Sequence, residues 1–372
     1  MLMFHTSDWH LGRMLYGRSL LEDQRYFLDQ CFLPAVRRLR PACVLLSGDI
    51  YDRQVAPAQA IRLFDGVLDQ LVSLGCKVFA ISGNHDGGDR IAIMKSALRR
   101  SGVYLATTLE EALEPVIVEE GGESAQIFLL PYFDCAQARD FLGEENLRGE
   151  SACMEALLAR LTPKFLPGAA HILVSHCFAA GAAISESESI FVGGSGQVSP
   201  SLFAPFDYAA LGHLHGPQKA GETARYSGSP LKYSLSEAGQ KKCFLRLEVH
   251  PGSVTAEPEP VSPLRDVKEI SGSFSQLLAA GEEALCEDYA ELRLTDQNPV
   301  LLAASRLLPY YPNLLGISHS WGLASGAGER AARLKGQNSR DIFAAFLQDV
   351  CGQEADEADL ALFEEILKEV EA

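Results

Sequence analysis

The sequence has no apolar run long enough to cross a bilayer and no C-x-x-C pair among its nine cysteines. The opening MLMFHTSDWH lacks the basic start and sustained apolar stretch of a secretory signal peptide, so we expect a cytoplasmic protein without a membrane segment. The odd number and scattered positions of the cysteines disfavour a disulfide framework and a thiolate zinc site. We therefore expect buried, reduced thiols.

Positive charge and nucleotide-binding loops are also scarce. The chain has 32 Lys and Arg against 49 Asp and Glu, a formal net charge of −17. This balance argues mildly against a free-standing nucleic-acid binder, because phosphate contacts need local Lys or Arg, although metal ions or a partner could supply positive charge. There is no G-x-x-x-x-G-K-[ST] loop, so we expect no nucleotide on this chain. Any dependence on ATP would come from a partner.

The first 250 residues contain an alternation of short apolar runs and helical patterns. Helical spacing occurs over 19–39 and 57–75, and in the second segment we expect Ile61, Phe64 and Leu68 on the buried face. The runs of strand length are LMFHTS (2–7), CVLLS (43–47), KVFAIS (77–82), HILVS (171–175) and YAAL (208–211). Continuous apolar strands between helices predict a layered α/β domain with a buried sheet.

The pattern changes after the Pro-rich segment EPEPVSPLR (257–265), which we interpret as a boundary. The expected parts are an α/β domain at 1–260, a small β-α-β-α-β domain at 261–321, a flexible linker at 322–338 and a helix pair at 339–372. The Ser- and Gly-rich stretch 186–201 is expected to be a surface loop.

Two amphipathic, acidic helices are expected in the tail. Their apolar stripes are Phe343, Phe346, Leu347 and Val350 in one helix, and Leu360, Phe363, Leu367 and Val370 in the other. Such helices either dock on a partner or pack back on their own domain, and the flexible linker before them favours the partner.

Each of the five apolar runs is followed by side chains that can bind a metal ion. In chain order these are Asp8 and His10, then Asp49, then Asn84, His85 and Asp86, then His176, then His213 and His215. Because open α/β sheets bind ligands at the carboxyl ends of their strands, we expect the side chains to converge in one crevice. In DWH and HLH the single intervening residue lets two side chains point the same way from an extended backbone.

The ligand types restrict the metal. Imidazole, carboxylate and amide groups without thiolate suit Mn²⁺, Fe²⁺ or Zn²⁺, and seven candidates suit two ions that share a carboxylate, about 3.5–4 Å apart. Each motif alone has a structural explanation as a turn or a helix cap. Their joint occurrence behind five apolar runs favours a metal site. The remaining histidines (His5, His171, His250 and His319) have no partner motif, and we assign them no chemistry.

The set DxH, GD, GNHD, SH and GHxH resembles the calcineurin-like metallophosphoesterases. Within that family, HTSDWHLGR, SGDIYDR, SGNHD and FDYAALGHLHGPQ are similar to the motifs of DNA nucleases, with the motif match covering residues 1–250. The resemblance implies a first metal on Asp8, His10 and His215, a bridging Asp49, and a second metal on Asn84, His176 and His213. It implies that His85 acts near the leaving oxygen, oriented by Asp52 or Asp86. Arg53 is either a phosphate contact or an ordinary exposed arginine, and Arg13 has the same two interpretations as a DNA contact.

The resemblance further implies two divalent ions, with Mn²⁺ favoured over Mg²⁺ or Fe²⁺, and hydrolysis of DNA phosphodiester bonds. It implies double-strand exonuclease and single-strand or hairpin endonuclease activity in DNA end processing, replication and recombination. The expected assembly is a homodimer within a heterotetramer, with the small domain facing DNA and the tail helices docked on a coiled-coil ATPase.

Two alternatives remain. One is a small-substrate metallophosphodiesterase or phosphatase on the same core, and the other is a scaffold with a purely structural metal site. The second domain and the tail favour the nuclease over the first alternative. The complete ligand set with His85 favours it over the second.

Overall fold

A computed structural model describes residues 1–188, 196–319, 339–348 and 355–371. The chain divides into two compact units, Met1–Val267 and Lys268–Ala372. The expected α/β class is confirmed. The predicted linker (322–338) and Val350 lie outside the described residues.

The first sheet of unit 1 contains six strands. Their bounds are β1 Leu2–Thr6, β4 Cys43–Ser47, β5 Lys77–Ile81, β6 Val103–Ala106, β15 Cys243–His250 and β16 Ser253–Pro260. The order is β16-β15-β1-β4-β5-β6. Strands β1, β4, β5 and β6 are parallel, and β15 and β16 pair antiparallel at one edge. The central parallel strands are buried on both faces, which accounts for their continuous apolar sequences.

The second sheet also contains six strands. Their bounds are β7 Val116–Glu120, β8 Glu123–Leu130, β9 Ala170–His176, β12 Tyr208–Gly212, β13 Gln218–Ala220 and β14 Ala224–Tyr226. The order is β13-β14-β12-β9-β8-β7, with β14, β12, β9 and β8 parallel. Two short ribbons complete unit 1: β2 Met14–Leu15 with β3 Arg18–Ser19, and β10 Phe178–Ala179 with β11 Gln197–Val198.

The two sheets share an apolar core. Leu45 and Phe79 of the first sheet belong to the same buried cluster as Ile172 and Val174 of the second. Leu173, between those two residues on β9, belongs instead to a second cluster with the helices that cover the outer face. This alternation is the period of two that a strand imposes on its side chains, and it gives the layers helix, sheet, sheet, helix.

The helices on the outer face of the first sheet surround one buried tryptophan. A continuous helical segment comprises α1 Leu21–Tyr26, a π-helical stretch Phe27–Phe32 and α2 Leu33–Leu39, and α3 spans Ala58–Ser73. Trp9 makes edge-on ring contacts with Phe27, Phe32 and Phe64. These helices are thereby fixed beside the loop that carries Asp8 and His10.

The prediction that Ile61 lies on the buried face of α3 is wrong. Its side chain is 49% exposed, whereas Leu63 and Val67 are buried. Ile61 lies at the edge of a stripe centred on Phe64, Val67 and Leu71, and apolar spacing alone does not show which residues at the edge of a stripe are covered by neighbouring elements.

The outer face of the second sheet packs against α7 Cys135–Leu142 and α8 Glu150–Leu161. Asp134 caps α7 by accepting from the backbone N–H of Gln137. Shorter helices are α4 Gly88–Ile91, α5 Lys95–Arg100 and α6 Leu109–Ala112, and 3₁₀ turns occur at Thr162–Lys164, Pro200–Phe203 and Leu235–Glu237. In the described residues, no helix is both long and apolar enough to cross a membrane.

Unit 2 begins with a small α/β fold. Its strands are β17 Val267–Gly272, β18 Tyr289–Leu294 and β19 Leu314–His319, in that order across one sheet, and its helices are α9 Phe274–Glu283 and α10 Ala303–Leu307. Leu277, Leu292 and Leu307 form the centre of its core. The β-α-β-α-β order matches the sequence prediction.

The tail forms two helices, α11 Ser339–Phe346 and α12 Glu357–Glu371. They contact each other through the stacked rings of Phe343 and Phe363, with centroids 4.2 Å apart, and through an Arg340–Glu364 ion pair. The apolar side chains Ile342, Phe346, Leu362 and Ile366 are exposed.

The Pro-rich stretch 257–265 ends two residues before the division between the two units, and the prediction for 186–201 needs correction. The Pro-rich stretch interpreted as a boundary begins within β16, where Pro258 and Pro260 lie on the edge strand of the first sheet. An edge strand tolerates proline because one side of its backbone has no neighbour. The stretch 186–201 is not simply a surface loop, since Glu188 and Val198 are buried.

Candidate metal centre

The carboxyl ends of five strands from both sheets meet at one edge of unit 1. There, Ser47 Oγ at the end of β4 donates to the Ala210 carbonyl of β12 over 3.0 Å. His176 Nδ1 at the end of β9 lies 2.8 Å from the Ser47 carbonyl. The approach is so close that a Cβ on Gly212 would lie 1.8 Å from that same oxygen. Glycine is therefore the residue that fits between the two sheets here.

The first group of candidate ligands is Asp8, His10 and His215, all buried. Their ligand atoms lie within 4.8 Å of one another. His10 Nε2 and His215 Nε2 face each other at 3.1 Å. Asp8 is held by Ser7 Oγ at 2.6 Å and by the backbone N–H of His213 at 2.9 Å.

The second group joins Asp49, Asn84, His176 and His213. Asn84 Oδ1 lies 3.0 Å from His176 Nε2 and 3.1 Å from His213 Nδ1. Asp49 Oδ2 lies 3.5 Å from both His10 Nε2 and His176 Nε2. This carboxylate therefore lies between the two groups, in the position of a shared ligand.

Burial sets the protonation of this cluster. It lowers the pKa of His213 to about 3 and lowers the pKa values of His10 and His176 as well. Neutral imidazoles keep the lone pair that a metal ligand needs. Burial and the nearby Asp49 carboxylate raise the pKa of Asp8 well above its usual range. A bound cation would relieve that repulsion.

These residues fit divalent metal ions. The cluster brings together four imidazoles and two carboxylates, those of His10, His176, His213, His215, Asp8 and Asp49. Among the described residues, His10 Nδ1 is buried with no hydrogen-bond partner. His176 is held through Nδ1 by a carbonyl, which can only accept, so its Nε2 keeps its lone pair toward the cluster. The donor set is oxygen and imidazole nitrogen without thiolate, as Mn²⁺, Fe²⁺ or Zn²⁺ prefer.

His85 lies next to this cluster and is half-buried. Its ring contacts that of His10 edge-on at 4.8 Å, and its Nδ1 lies 2.9 Å from the backbone carbonyl of Asp52. The Asp52 carboxylate instead accepts from Arg13 Nη1 at 2.8 Å. Asp52 thus contacts His85 Nδ1 through its main-chain carbonyl, and its carboxylate lies within 4.8 Å of a ring nitrogen of His85.

Asp86 has a different environment. Its carboxylate accepts from the backbone N–H groups of Ile50, Tyr51 and Gly83 at 2.9–3.1 Å, so it ties the loop after β4 to the loop after β5. Burial and the Asp49 charge raise the pKa of Asp86 to about 7. No contact between Asp86 and the His85 ring is found in the described part of the chain.

The side chains of Arg13 and Arg53 differ in their contacts and in their exposure. Arg13 is held by Asp52, by the Ser187 carbonyl at 3.4 Å and over the Tyr233 ring at 5.6 Å. The Arg53 side chain is 72% exposed, with Nε 3.5 Å from the Asp52 carboxylate.

Sequence reasoning missed the polar residues behind His215. Ser187 Oγ lies 2.6 Å from His215 Nδ1 and donates to the buried carboxylate of Glu237, which also pairs with Lys242. Burial alone would raise the pKa of Glu237, but the nearby His215 ring at 3.5 Å and the charge of Lys242 outweigh burial and lower it. Glu188 contacts the His215 backbone N–H. In the sequence, the only indication of these residues is the polar segment SLSEAGQKK (234–242), which contains Glu237 and Lys242. Such a segment is typical of many surface loops, so it is a weak indication of a site.

Comparison with known proteins adds the following findings. Residues 1–217 match the family model described as calcineurin-like phosphoesterase, and residues 263–350 match a model described as type 5 capsule protein repressor C-terminal domain. The chain is similar to the SbcD component of the nuclease SbcCD of Staphylococcus epidermidis, with 29% identity over 86% of this chain and 85% of that protein. A solved structure, the psychrophilic beta-glucosidase BglU from Micrococcus antarcticus, aligns with 11% identity over 85% of this chain and 83% of that one, at a TM-score of 0.21. A score that low carries no argument about fold or function.

Proposed function

Since the chain belongs to the calcineurin-like phosphoesterases, we propose that it is a metal-dependent DNA nuclease that works with an SbcC-like coiled-coil ATPase. The proposed reactions are double-strand exonuclease and single-strand or hairpin endonuclease cleavage, in DNA end processing, replication and recombination in the cytoplasm. The observation that carries the proposal is the pair of buried ligand groups that share Asp49. The nuclease relative spans both units of the chain and supports a nucleic acid as the substrate.

The proposed metals are two divalent ions, with Mn²⁺ favoured. Asp8, His10 and His215 would hold one ion, Asn84, His176 and His213 the other, and Asp49 both. When bound, such ions supply activated water and neutralise charge on the phosphate. The protein's own contribution is a preorganised set of imidazoles and carboxylates at fixed distances.

His85 is the proposed general acid or transition-state donor beside the leaving oxygen. The carbonyl of Asp52 can only accept, so His85 Nδ1 carries a proton and its ring is held in place. Nε2 is then the nitrogen that exchanges a proton with substrate, and the half-buried position leaves it accessible. Asp52 has a positioning role through its main chain, and its carboxylate holds Arg13.

Two phosphate contacts are proposed. Arg53 is mostly exposed next to the His85 loop and is free to reach a DNA phosphate. Arg13 keeps unused N–H groups after its bonds to Asp52 and Ser187, and Asp52 also contacts His85 through its carbonyl. The small α/β fold of unit 2 is the proposed DNA-facing domain.

The proposed assembly is a homodimer within a heterotetramer. Exposed Val55, Ile61, Ile93 and Met94 lie on one side of unit 1, and three of its helices line a cavity of about 350 Å³ there. We assign this apolar surface to the dimer contact. The exposed apolar side chains of α11 and α12 are assigned to the ATPase.

The test uses purified protein, Mn²⁺ and end-labelled linear duplex DNA, with His85→Ala as the variant. A lost proton donor should lower kcat by about 10²–10⁴-fold while Mn²⁺ content stays that of the wild type. A matched control is His250→Ala, at the end of β15, whose ring contacts Glu123 away from the candidate ligands.

Equal turnover in the two histidine variants would reject the role of His85. Hydrolysis of a small aryl phosphodiester without any cleavage of linear, hairpin or single-stranded DNA would instead identify a small-substrate enzyme. Activity that survives complete chelation of divalent ions would reject the metal centre.

A further inference from the structure

A buried ion pair lies behind His215. Glu237 has no exposed surface, and Lys242 is 7% exposed. Lys242 Nζ is surrounded by the Glu237 carboxylate, the His215 carbonyl at 2.8 Å, Ser229 Oγ at 3.0 Å and Gln240 Oε1 at 2.8 Å. Removing two charges from water is costly, and buried pairs are often no more stable than apolar replacements. A role beyond stability accounts better for such a pair beside a metal ligand.

The hydrogen bonds around this pair have one consistent direction. The Lys242 ammonium has no acceptor and donates to Glu237 Oε2. The ionised Glu237 can only accept, so Ser187 donates its single hydroxyl proton to Glu237 Oε1. Ser187 Oγ must then accept from His215 Nδ1, 2.6 Å away. We call this chain of hydrogen bonds from Lys242 through Glu237 and Ser187 to His215 the relay. It fixes the proton of His215 on Nδ1 and leaves the Nε2 lone pair facing His10.

His215 differs in this respect from His176 and His85. Nδ1 of His176 and of His85 contacts a backbone carbonyl, which almost any residue can supply. Nδ1 of His215 instead contacts two specific side chains, Ser187 and Glu237. In the sequence, Ser187 precedes His215 by 28 residues and Glu237 follows it by 22. A partner with full negative charge at the end of the relay makes an imidazole a stronger ligand than a neutral carbonyl does.

The loop that carries Ser187 is anchored on both sides of this residue. Glu188 accepts from the Ser185 N–H at 2.6 Å and from the His215 N–H. Arg13 donates to the Ser187 carbonyl. The hydroxyl is thus held in place by its own loop and not by the relay alone.

From this geometry we infer that Ser187, Glu237 and Lys242 are positioning residues for His215 and set the affinity of the metal site formed by Asp8, His10 and His215. The inference rests on the proposed function, because it takes His215 as a ligand.

The experiment is a Mn²⁺ titration of the full chain without DNA. Binding is measured by calorimetry and by the electron paramagnetic resonance signal of free Mn²⁺. The variants are Ser187→Ala and Glu237→Gln. Loss of the relay should weaken one of the two Mn²⁺ equivalents by about 10–100-fold and leave the other at wild-type affinity. The matched controls are Ser201→Ala and Glu222→Gln, both exposed, and they should bind as the wild type does.

Ser187→Thr keeps the hydroxyl and should restore the affinity lost in Ser187→Ala, a rescue that a purely structural role does not explain. Ser187 is half-buried on a loop, so Ser187→Ala and its rescue decide the matter even where Glu237→Gln does not fold. Wild-type affinity for both equivalents in Ser187→Ala would overturn the inference. A selective weakening in a protein that cleaves no DNA would contradict the proposed nuclease and leave this inference intact.

Discussion

Four of the candidate ligand residues hold a backbone conformation that costs free energy. Asp8, His10, Asp49 and His213 have φ values of 52°, 42°, 49° and 105°, in the region that favours glycine. Such residues cost about 1–3 kcal/mol each and persist only where the surroundings impose them. Here the loops after β1 and β4 interlock, with Asp8 N–H donating to the Gly48 carbonyl and His10 N–H to the Asp49 carbonyl. The fold therefore stabilises the ligand geometry in advance of any ion.

The contact between sheets at Gly212 gives a residue-scale prediction. In Gly212→Ala the new Cβ would overlap the Ser47 carbonyl and lie 2.9 Å from His176 Nδ1, so β4 and β12 must separate. We expect a loss of about 1–3 kcal/mol in the free energy of unfolding, as for overpacked cores, together with weaker Mn²⁺ binding. Urea denaturation and Mn²⁺ titration measure the two effects.

The control for this prediction is Gly239→Ala, where a Cβ has no atom within 4 Å. Its stability and Mn²⁺ affinity should stay close to those of the wild type. If Gly212→Ala matched Gly239→Ala in both measurements, the packing argument for this glycine would be wrong.

At the residue scale, the sequence predicts the ligands that directly follow strands and few of the other contacts in the site. The parallel strands bring Asp8, Asp49, Asn84, His176 and His213 together because each directly follows an apolar run, a local pattern. The relay behind His215 has no such pattern. Ser187 lies in a loop, Glu237 in a 3₁₀ turn, and Lys242 directly before strand β15. The main-chain contact of Asp52 with His85 is also invisible in a sequence, because every residue has a carbonyl.

At the scale of elements, helix existence was easier to predict than the faces that helices bury. Both tail helices and the order β-α-β-α-β follow from the pattern of apolar residues. In the structure, Ser273 also caps α9 by accepting from the N–H of Gln276. Helix α3 shows the limit, since Ile61 continues its apolar spacing yet is exposed. Periodicity shows which apolar residues share one face of a helix. Whether each of them is buried depends on the tertiary packing around that face.

The tail helices give a prediction at this scale. Phe343 and Phe363 hold the two helices together, whereas Leu362 and Ile366 are 58% and 51% exposed. The double substitution Leu362→Asp with Ile366→Asp should abolish co-purification with the SbcC-like ATPase, because it places charge on the apolar docking face. Helix content and Mn²⁺ content should not change.

Deletion of 339–372 should have the same effect on co-purification. The control is Leu166→Asp, a comparably exposed leucine of unit 1 at 42% exposure, which should leave partner binding intact. Partner binding retained by both the deletion and the double variant would refute the docking assignment.

For the whole molecule, the net charge of −17 is consistent with the proposed activity only if positive charge comes from elsewhere. Each phosphate contact by Lys or Arg contributes to DNA affinity through counterion release. Among the described residues near the metal centre, Arg53 is mostly exposed, whereas Arg13 is already paired with Asp52. Bound divalent ions and the ATPase partner are the two sources that the proposal provides. Cleavage by the isolated chain should accordingly be weak and rise when the partner is added.

The assignment of a homodimer gives the last prediction. Ile61, Ile93 and Met94 are 49%, 65% and 72% exposed around one mainly apolar cavity, the surface assigned to the dimer contact. Ile61→Asp should shift the full chain from dimer to monomer in size-exclusion chromatography with light scattering, because the charge would be buried without a partner at the contact. Ile117→Asp on β7, where the wild-type side chain is 46% exposed, is the control and should remain dimeric. A monomeric wild type, or equal masses for the two variants, would place the dimer contact elsewhere or remove it, while the metal centre within each chain would keep its Mn²⁺ affinity in either case.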